Sequence, residues 1–550
     1  MQTKVLYGLT GVLAMGAFVP AQAQKKPMNI VFIMSDDHSY QTISAYDKRF
    51  ISTPNIDWLA DNGVKFQESF VANSLSGPSR ACMLTGKHSH ANGFTDNTKT
   101  FDGSQQTFPK LLQKQGYQTA MIGKWHLTSL PTGFNYWDIL IGQGDYYNPD
   151  FLSNGKRIRR SGYVTNIIAD MAIDWMEHKR DKTKPFCLLM HNKAPHRVWN
   201  PDTCDLRLYD DVTYPLPKTF YDDYAGRLAA QKQKMSIIKD MDLVYDNKMA
   251  DKENEIHTTT GLEPWGRANY NRMSPSQRAQ WDSYYDPIIK KFKEDKLSGK
   301  ALAEWKYQRY MHDYMRVIHS VDRNVGRVIE YLREHNLLDN TMIVYTSDQG
   351  FYMGEHGWFD KRFMYEESLH TPLIISYPGH IKEGVENTDM VQNIDFAPTF
   401  LAYAGVQQPK EMTGKPLQPL LAGNKPKNWR KDLYYHYYDY PTYHLVRKHD
   451  GVRNDRYKLI YFYGKGGMRA VEENKYQKIP GTSENNCLKY LNATHYFNDD
   501  ADVSYYELYD LQNDPDELNN IYGKKGTEKV TKQLMKRLND YRKELKIDEY

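Results

Sequence analysis

The chain has 550 residues, enough for one large domain and a smaller one. Its 72 basic and 68 acidic residues leave a net charge of only +4, so bulk charge does not indicate a nucleic-acid-binding protein. The 4 cysteines show no metal-ligand spacing and are too few for a disulfide framework.

The first 23 residues have the pattern of a secretory signal peptide. Lys4 precedes an apolar run from Val5 to Val19, and Ala21-Gln22-Ala23 is a small–x–small cleavage site. Glycines interrupt the run, it is short for a membrane span, and no cysteine follows the cleavage site. We therefore expect a periplasmic or secreted protein without a stable membrane anchor.

The next segments alternate between strand and helix patterns. Short continuous apolar runs predict strands buried on both faces of a parallel sheet, at Asn29–Ser35, Pro185–Met190 and Thr341–Thr346. Helical spacing predicts helices at Phe108–Gln115, Val164–Lys179 and Tyr307–Asn336. The alternation predicts an α/β domain whose large, mostly parallel sheet is sandwiched by helices. Residues 202–300 are polar and weakly periodic, and we expect an insertion near the substrate mouth.

From about Trp429 the pattern changes. Tyr457–Tyr463 and Tyr505–Asp510 alternate like antiparallel strands, and Lys529–Leu545 has the spacing of a terminal amphipathic helix. We predict a signal peptide at 1–23, a catalytic domain at 24–428 and a smaller C-terminal α+β subdomain at 429–550.

Acidic residues follow two of the predicted buried strands. Asp36 and Asp37 come directly after the first, and Asp348 and Gln349 follow the run that begins at Thr341. Functional groups collect at the carboxyl ends of parallel strands, where neighbouring carboxylates repel each other unless a cation joins them. Capping of helices explains either pair alone. Both pairs together favour a hard cation with oxygen ligands, Ca²⁺ or Mg²⁺ rather than Zn²⁺.

The segment Ser76–Gly86, SGPSRACMLTG, carries the most specific spacing in the chain. Pro78 fixes a turn, and Arg80 adds a permanent cation beside a potential nucleophile. A helix N-terminus with a solvated arginine explains part of the pattern. The whole spacing of Ser76, Pro78, Ser79, Arg80, Thr85 and Gly86 resembles the signature of the type I sulfatases, in which the first residue is oxidised to formylglycine.

Further blocks resemble the same family in the same order. They are NIVFIMSDDH at the first strand, GKWHL from Gly123, APH from Ala194, TSDQG from Thr346, and the closing YELYDLQNDPDELNNIY. The resemblance implies an alkaline phosphatase-like fold and a Ca²⁺ ion bound by Asp36, Asp37, modified Ser76, Asp348 and Gln349, although the family often has Asn at the last position. It further implies that Arg80, Lys124 and Lys361 hold the sulfate, that His196 protonates the departing sugar oxygen, and that His126 takes a proton from the formylglycine hydrate.

The GWFDKR segment ending at Arg362 most resembles the N-acetylglucosamine-6-O-sulfatases within that family. It implies an exo-acting enzyme on 6-O-sulfated N-acetylglucosamine or glucosamine in glycosaminoglycans such as heparin and heparan sulfate, or in mucin glycans. Asp360 and Arg362 either hold sugar hydroxyls or form an ion pair that braces the loop, and both interpretations stay open. We expect His444, His449 and Arg453 to close over the sugar.

Other functions remain open at this stage. The sulfated sugar is alternatively galactose 6-sulfate or a 2-O-sulfated uronic acid. A phosphatase or phosphonate hydrolase of the same superfamily fits the Pro-Ser-Arg context less well. A protein with unmodified Ser76 would bind sulfated glycans without hydrolysing them. The Ser-type signature implies maturation by a radical enzyme that works without oxygen, and therefore an anaerobic bacterial source.

Overall fold

The computed structural model describes residues 27–258, 260–467, 469–470 and 501–548. The predicted signal peptide and Cys487 lie outside the described residues. The strands in chain order are β1 (Asn29–Ser35), β2 (Gly63–Phe66), β3 (Ser69–Phe70), β4 (Gln118–Gly123), β5 (Tyr136–Leu140), β6 (Asp150–Ser153), β7 (Lys156–Arg159), β8 (Phe186–His191), β9 (Thr341–Ser347), β10 (Leu373–Ser376), β11 (Val385–Asn387), β12 (Val391–Gln392), β13 (Asp432–Tyr437), β14 (His449–Asn454), β15 (Tyr457–Gly464) and β16 (Val503–Asp510).

The central sheet has ten strands in the order β11-β2-β10-β9-β1-β8-β4-β5-β6-β7. Its middle, from β9 to β5, is parallel, and β10, β6 and β7 extend it in antiparallel fashion. In β1, Ile30 lies opposite both Cys187 and Met342. Because this strand is covered on both faces, every residue in it is buried, which explains its continuous apolar run.

The α-helices of the described residues in chain order are α1 (Pro54–Asp61), α2 (Ser76–Thr85), α3 (Ser89–Asn92), α4 (Phe108–Lys114), α5 (Val164–Asp174), α6 (Leu228–Lys232), α7 (Glu263–Asn271), α8 (Pro275–Asp295), α9 (Gly299–Glu334), α10 (Glu366–Leu369), α11 (Phe396–Tyr403), α12 (Gln418–Leu421) and α13 (Glu528–Glu544). Helices cover both faces of the central sheet. Val31 and Ile33 share a core with α5 and α9, whereas Ile30 and Phe32 share one with α4 and α11. The predicted α/β sandwich is confirmed.

The structure differs from the prediction at several helix bounds. The helix predicted over Val164–Lys179 is α-helical only to Asp174 and ends in a wider turn, and α9 begins at Gly299. The 202–300 segment contains α8, whose start has a capping box: the Ser274 hydroxyl accepts from the Gln277 amide, and Gln277 Oε1 accepts from the Ser274 amide. The sequence prediction missed this helix because only a few of its side chains are buried.

The C-terminal part contains a four-stranded antiparallel sheet in the order β13-β14-β15-β16. Leu534 and Leu538 of α13 pack on one of its faces, while Tyr435 and Phe462 pack with the loop around Phe363 on the other. The predicted α+β character is confirmed, and the boundary at residue 429 stays a prediction. Among the described residues, no helix has the length and apolarity needed to cross a membrane.

Candidate active site

Backbone hydrogen bonds connect the carboxyl ends of β1, β4, β8 and β9. The Asp36 amide donates to Ala194 O (3.2 Å), and the Asp348 amide donates to Ser35 O (3.2 Å). The Lys124 amide donates to His191 O (2.8 Å). These connections bring the Asp36–Asp37 and Asp348–Gln349 pairs, the GKWHL block and the APH block to one edge of the sheet.

Two glycines permit this close assembly. Gly123 has φ +103°, and a Cβ there would lie 2.0 Å from His191 O. A Cβ at Gly350 would lie 2.1 Å from Glu367 O. Any larger residue at either position would separate the chain segments that carry the site.

Three buried carboxylates each face a buried cation. Both Asp37 oxygens accept from Lys361 Nζ (2.6 and 2.7 Å), and Asp348 Oδ2 accepts from Arg80 (2.9 Å). The third pair joins Asp36 to Lys124. We call these six residues the strand-end cluster. The three cations predicted to bind sulfate therefore lie against the three predicted carboxylate ligands.

Ser76 lies within hydrogen-bond distance of this cluster. It is the first residue of α2, and its Oγ donates to Asp36 Oδ1 (3.0 Å) and accepts from Gln349 Nε2 (3.3 Å). Arg80 follows one turn later, so its guanidinium and the positive helix N-terminus lie on the same side of Ser76. The site thus presents a hydroxyl among carboxylates and cations.

Burial raises the pKa values of the three carboxyl groups in this cluster, whereas the neighbouring cations lower them. Burial raises the pKa of Asp37 to about 6, and burial together with Asp36 raises that of Asp348 to about 7. Burial also favours the neutral form of Asp36, but Lys124 and the other cations hold its pKa well below the usual range. Mutual repulsion therefore remains within the carboxylate group.

The oxygen atoms present fit a hard cation. Gln349 Oε1 is buried and has no hydrogen-bond partner, while its Nε2 donates to Asp37. Rotating the amide by 180° would add Oε1 to the carboxylate oxygens of Asp36, Asp37 and Asp348. Oxygen donors in this number suit Ca²⁺ and would relieve the repulsion between the carboxylates. His196 also approaches the group, with Nε2 3.8 Å from Asp37 Oδ2.

The two predicted acid–base histidines lie at the same site. His196 Nδ1 donates to Arg197 O (2.7 Å), because a carbonyl only accepts, so its Nε2 faces the cluster unprotonated when the ring is neutral. His126 has a left-handed backbone (φ 56°), and its buried Nδ1 has no hydrogen-bond partner. Burial, followed by the nearby Lys124, lowers the pKa of both rings.

Asp360 and Arg362 form an ion pair beside Lys361. Arg362 Nε donates to Asp360 Oδ1 (2.8 Å), and its Nη1 donates to Tyr437 Oη and Asp439 Oδ2, both at 3.0 Å. His444 Nε2 lies 3.3 Å from Asp360 Oδ2. The ion pair offered as one of the two interpretations is present, and it forms a polar group next to Lys361, the cation predicted to bind sulfate.

The structure places His449 and Arg453 in packed surroundings behind the residues that contact Arg362. His449 is fully buried among the rings of Tyr435, Tyr437 and Phe462, and its Nδ1 donates to Arg447 O. Arg453 forms ion pairs with two glutamates of the catalytic part of the chain. These are packing and domain-joining contacts, so we do not include either residue in the proposed sugar site.

Several residues of the site escaped the sequence prediction. Lys193 is buried and donates to Gln143 O (3.2 Å), and Gln143 Oε1 accepts from Lys124 (2.5 Å). Tyr437, the last residue of β13, and Asp439, two residues beyond it, contact Arg362. Lys193 was detectable, since it follows β8 and precedes the APH block, whereas the other three have no local signal.

Comparison with known families identifies the chain. The sulfatase family matches residues 28–406, more than half of the sequence. The chain belongs to the sulfatase family. A second match, to the C-terminal part of N-sulphoglucosamine sulphohydrolase, covers residues 354–485 and 487–544 of this sulfatase.

Individual relatives resemble this sulfatase over most of its length. An N-acetylglucosamine-6-O-sulfatase of Bacteroides thetaiotaomicron is 46% identical over 96% of the chain and 88% of that protein. The human N-acetylglucosamine-6-sulfatase is 25% identical over 92% of the chain and 83% of its own length. A solved structure in complex with its substrate D-glucosamine-2-N,6-O-disulfate is 46% identical, with a TM-score of 0.85, and the match covers 95% of this chain and 99% of that one.

Proposed function

We propose that this sulfatase hydrolyses the 6-O-sulfate ester of glucosamine or N-acetylglucosamine at the non-reducing end of glycosaminoglycans such as heparin and heparan sulfate, or of mucin glycans. The observation that carries the proposal is the 46% identity, over nearly the whole chain, to an N-acetylglucosamine-6-O-sulfatase. The polar group around Asp360 and Arg362, next to Lys361, supports it because it offers directional contacts beside a sulfate-binding cation.

Arg80, Lys124 and Lys361 hold the sulfate oxygens in this proposal. All three are buried, so their charges act in a low-dielectric setting. Negative charge on the sulfate oxygens grows in the transition state, and cations already fixed in place stabilise it more than they stabilise the bound ester. Lys193 is buried near Lys124, and burial lowers the pKa of its ammonium to about 7, so the anionic substrate would favour its charged form.

Ser76, oxidised to formylglycine and hydrated, supplies the hydroxyl that attacks sulfur. Asp36, Asp37, Ser76, Asp348 and Gln349 hold Ca²⁺, which when bound polarises the ester and offsets the carboxylate charges.

The histidines move the protons. His196 protonates the departing sugar oxygen, for which its Nε2 must first take up a proton, since Nδ1 already carries one. The anionic substrate favours that charged ring. His126 accepts a proton from the hydrate as sulfate leaves, and its unpartnered Nδ1 is consistent with a proton acceptor.

The sugar lies against Asp360, Arg362 and His444 in this proposal, with Asp439 and Tyr437 fixing Arg362. We further propose export to the periplasm or exterior of an anaerobic bacterium, oxidation of Ser76 by a radical maturation enzyme, and the division into domains at 24–428 and 429–550.

The test compares substrates sulfated at defined positions with Asp360→Asn and Arg362→Met variants. Wild-type enzyme should prefer N-acetylglucosamine 6-sulfate over galactose 6-sulfate and over 2-O-sulfated uronic acids. Each variant should lose about 100-fold in kcat/KM on the sugar, because a buried hydrogen-bonding group is left unpaired, and far less on a small aryl sulfate.

The exposed Arg456–Asp510 ion pair supplies the matched control, Arg456→Met, which should change neither activity. Equal losses of kcat/KM on the sugar and on the aryl sulfate would show that Asp360 and Arg362 only brace their loop. Faster hydrolysis of galactose 6-sulfate or of a uronic acid 2-O-sulfate would replace the proposed substrate.

A further inference from the structure

Two large aromatic side chains are exposed near the proposed sugar site. Trp265 of α7 is 50% exposed, and Tyr443, which precedes His444, is 36% exposed. Tyr245 is partly buried and its ring contacts that of Trp265. We call Tyr245, Trp265 and Tyr443 the aromatic rim. Tryptophan is on average highly buried, and an exposed one that adjoins a second aromatic ring forms a surface suited to binding a ligand.

The aromatic rim is continuous with the pocket. Arg197 follows His196, and its guanidinium lies 4.9 Å from the centre of the Phe359 ring and 5.3 Å from that of Tyr245. Phe359 in turn precedes Asp360. The Tyr245 and Trp265 rings are 6.2 Å apart and inclined by 62°. A ligand that leaves the pocket on this side therefore meets aromatic faces.

The rim is held by rigid contacts. Arg197 forms a bidentate ion pair with Asp246 (2.6 and 2.7 Å). A Cβ at Gly266 would lie 2.9 Å from Tyr245 Cα, so α7 rests directly on the backbone of that segment. At Tyr443, the backbone is held by the next residue, because the Lys234 amide donates to His444 O (2.7 Å). Ordering these groups on binding therefore has a small entropic cost.

We propose that the aromatic rim binds the sugar residue adjacent to the one that carries the 6-O-sulfate. This inference rests on the proposed function, because an enzyme that holds the terminal sugar in its pocket leaves the rest of the oligosaccharide at the mouth. A pyranose has apolar C–H faces and polar edges, and aromatic rings cover such faces while leaving the edges hydrated. Asp246 neutralises the charge of Arg197, so the aromatic rim binds the sugar through ring contacts rather than through charge.

The test compares kcat/KM on the 6-sulfated monosaccharide and on a trisaccharide with the same non-reducing end. Wild-type enzyme should prefer the trisaccharide. Trp265→Ala and Tyr443→Ala should each lower trisaccharide kcat/KM by about tenfold, mainly through KM, and Trp265→Phe by less. Monosaccharide hydrolysis should stay within about twofold. Tyr221→Ala, at a 43% exposed tyrosine, is the control that should change neither value.

Equal losses on both substrates, or no loss on either, would overturn the inference. Circular dichroism and thermal melting of each variant separate a folding defect from a binding defect. If the wild type instead hydrolyses another sulfated sugar, the proposed function fails, and the same pair of measurements with that sugar still decides the role of the aromatic rim. If it hydrolyses none, oligosaccharide affinity of wild type and Trp265→Ala decides it, and equal affinities refute it.

Discussion

Two groups of paired charges in this sulfatase have different surroundings. The strand-end cluster lies where β1, β4 and β9 end, around Ser76. A second group, the interdomain network of Glu68, Glu366, Arg453, Lys458 and Glu517, joins the catalytic part to the C-terminal sheet. In that network Lys458 Nζ lies 2.8 Å from both Glu366 and Glu517, and Arg453 lies 2.9 Å from Glu68.

The two groups differ in burial, because the side chains of Glu68 and Glu366 are 35% and 20% exposed, and in what they surround, because the strand-end cluster converges on the Ser76 hydroxyl. Both gather segments that are far apart in sequence, and both contain a left-handed backbone, with φ 66° at Asp37 and 52° at Glu517. Such conformations persist only where the surrounding structure enforces them. Pairing and a left-handed backbone alone therefore do not identify a catalytic charge, whereas convergence on a reactive group does.

The largest effect is expected from Ser76→Ala. If the strand-end cluster acts through Ser76, loss of its oxygen removes the precursor of the nucleophile, and turnover should fall by at least about 10⁴-fold. The melting temperature should stay within a few degrees of the wild type. Mass spectrometry of the Ser76 peptide from native cells should show the loss of two hydrogens. Substantial residual activity in the variant would refute the nucleophile assignment.

Metal removal should have the next largest effect and should distinguish the strand-end cluster from the interdomain network. Chelation should lower activity by at least about 100-fold, and added Ca²⁺ should restore it and raise the melting temperature. Asp348→Asn should remain poorly active after Ca²⁺ is added. Glu517→Gln, in the interdomain network, should keep the normal response to Ca²⁺. Preferential binding of Zn²⁺ by the native protein would contradict the oxygen-ligand assignment.

Arg453→Met should affect stability rather than chemistry. It leaves Glu366 with Lys458 as its remaining cation, so the free energy of unfolding should fall by about 1.5–3 kcal/mol, measured by urea denaturation. The exposed pair at Arg456 gives the matched control, for which Arg456→Met should cost no more than about 1 kcal/mol. A large loss of kcat in Arg453→Met without a loss of stability would place this network in the catalytic machinery.

The smallest effect concerns pH. Glu507 accepts from Tyr365 and Tyr509, and burial raises its pKa to about 7. The folded protein therefore retains a proton that the unfolded chain releases above about pH 4.5. The stability that comes from the raised pKa of Glu507 is fully present below about pH 4.5 and is lost as pH rises through 7. The melting temperature should fall less between pH 5 and 8 in Glu507→Gln, and an unchanged slope would contradict the assignment.

Local patterns predicted the parts of the site that lie at strand ends. Asp36 and Asp348 follow apolar runs that matched β1 and β9 closely, and parallel topology then places them together. These two acids needed only local periodicity and one topological rule. Ser76 and Arg80 were found through the resemblance of their segment to a family signature, and the predicted turn at Pro78 is instead the first turn of α2, which carries both residues.

Other features depend on contacts between distant segments. Tyr437 and Asp439 reach Arg362 across more than seventy residues, and nothing around them distinguishes them from the other tyrosines and acids of that region. His449 was placed near the sugar because it is close in sequence to His444, but β14 carries it into an aromatic core. The spacing of the two histidines in the sequence could not show that His444 lies in a turn whereas His449 begins β14.

The stretch from Asp360 to Arg362 has a consequence for divergence among sulfatases. Left-handed backbones at Asp360 (φ 79°) and Arg362 (φ 96°) flank Lys361, whose Nζ contacts Asp37 while Arg362 contacts Tyr437. Under the proposed function, neighbours in sequence would thus serve different parts of the substrate. Mutations at 360 or 362 would then change which sugar is accepted while the lysine keeps its place, so a duplicated gene could acquire a new glycan preference through a few codons without losing its chemistry in between.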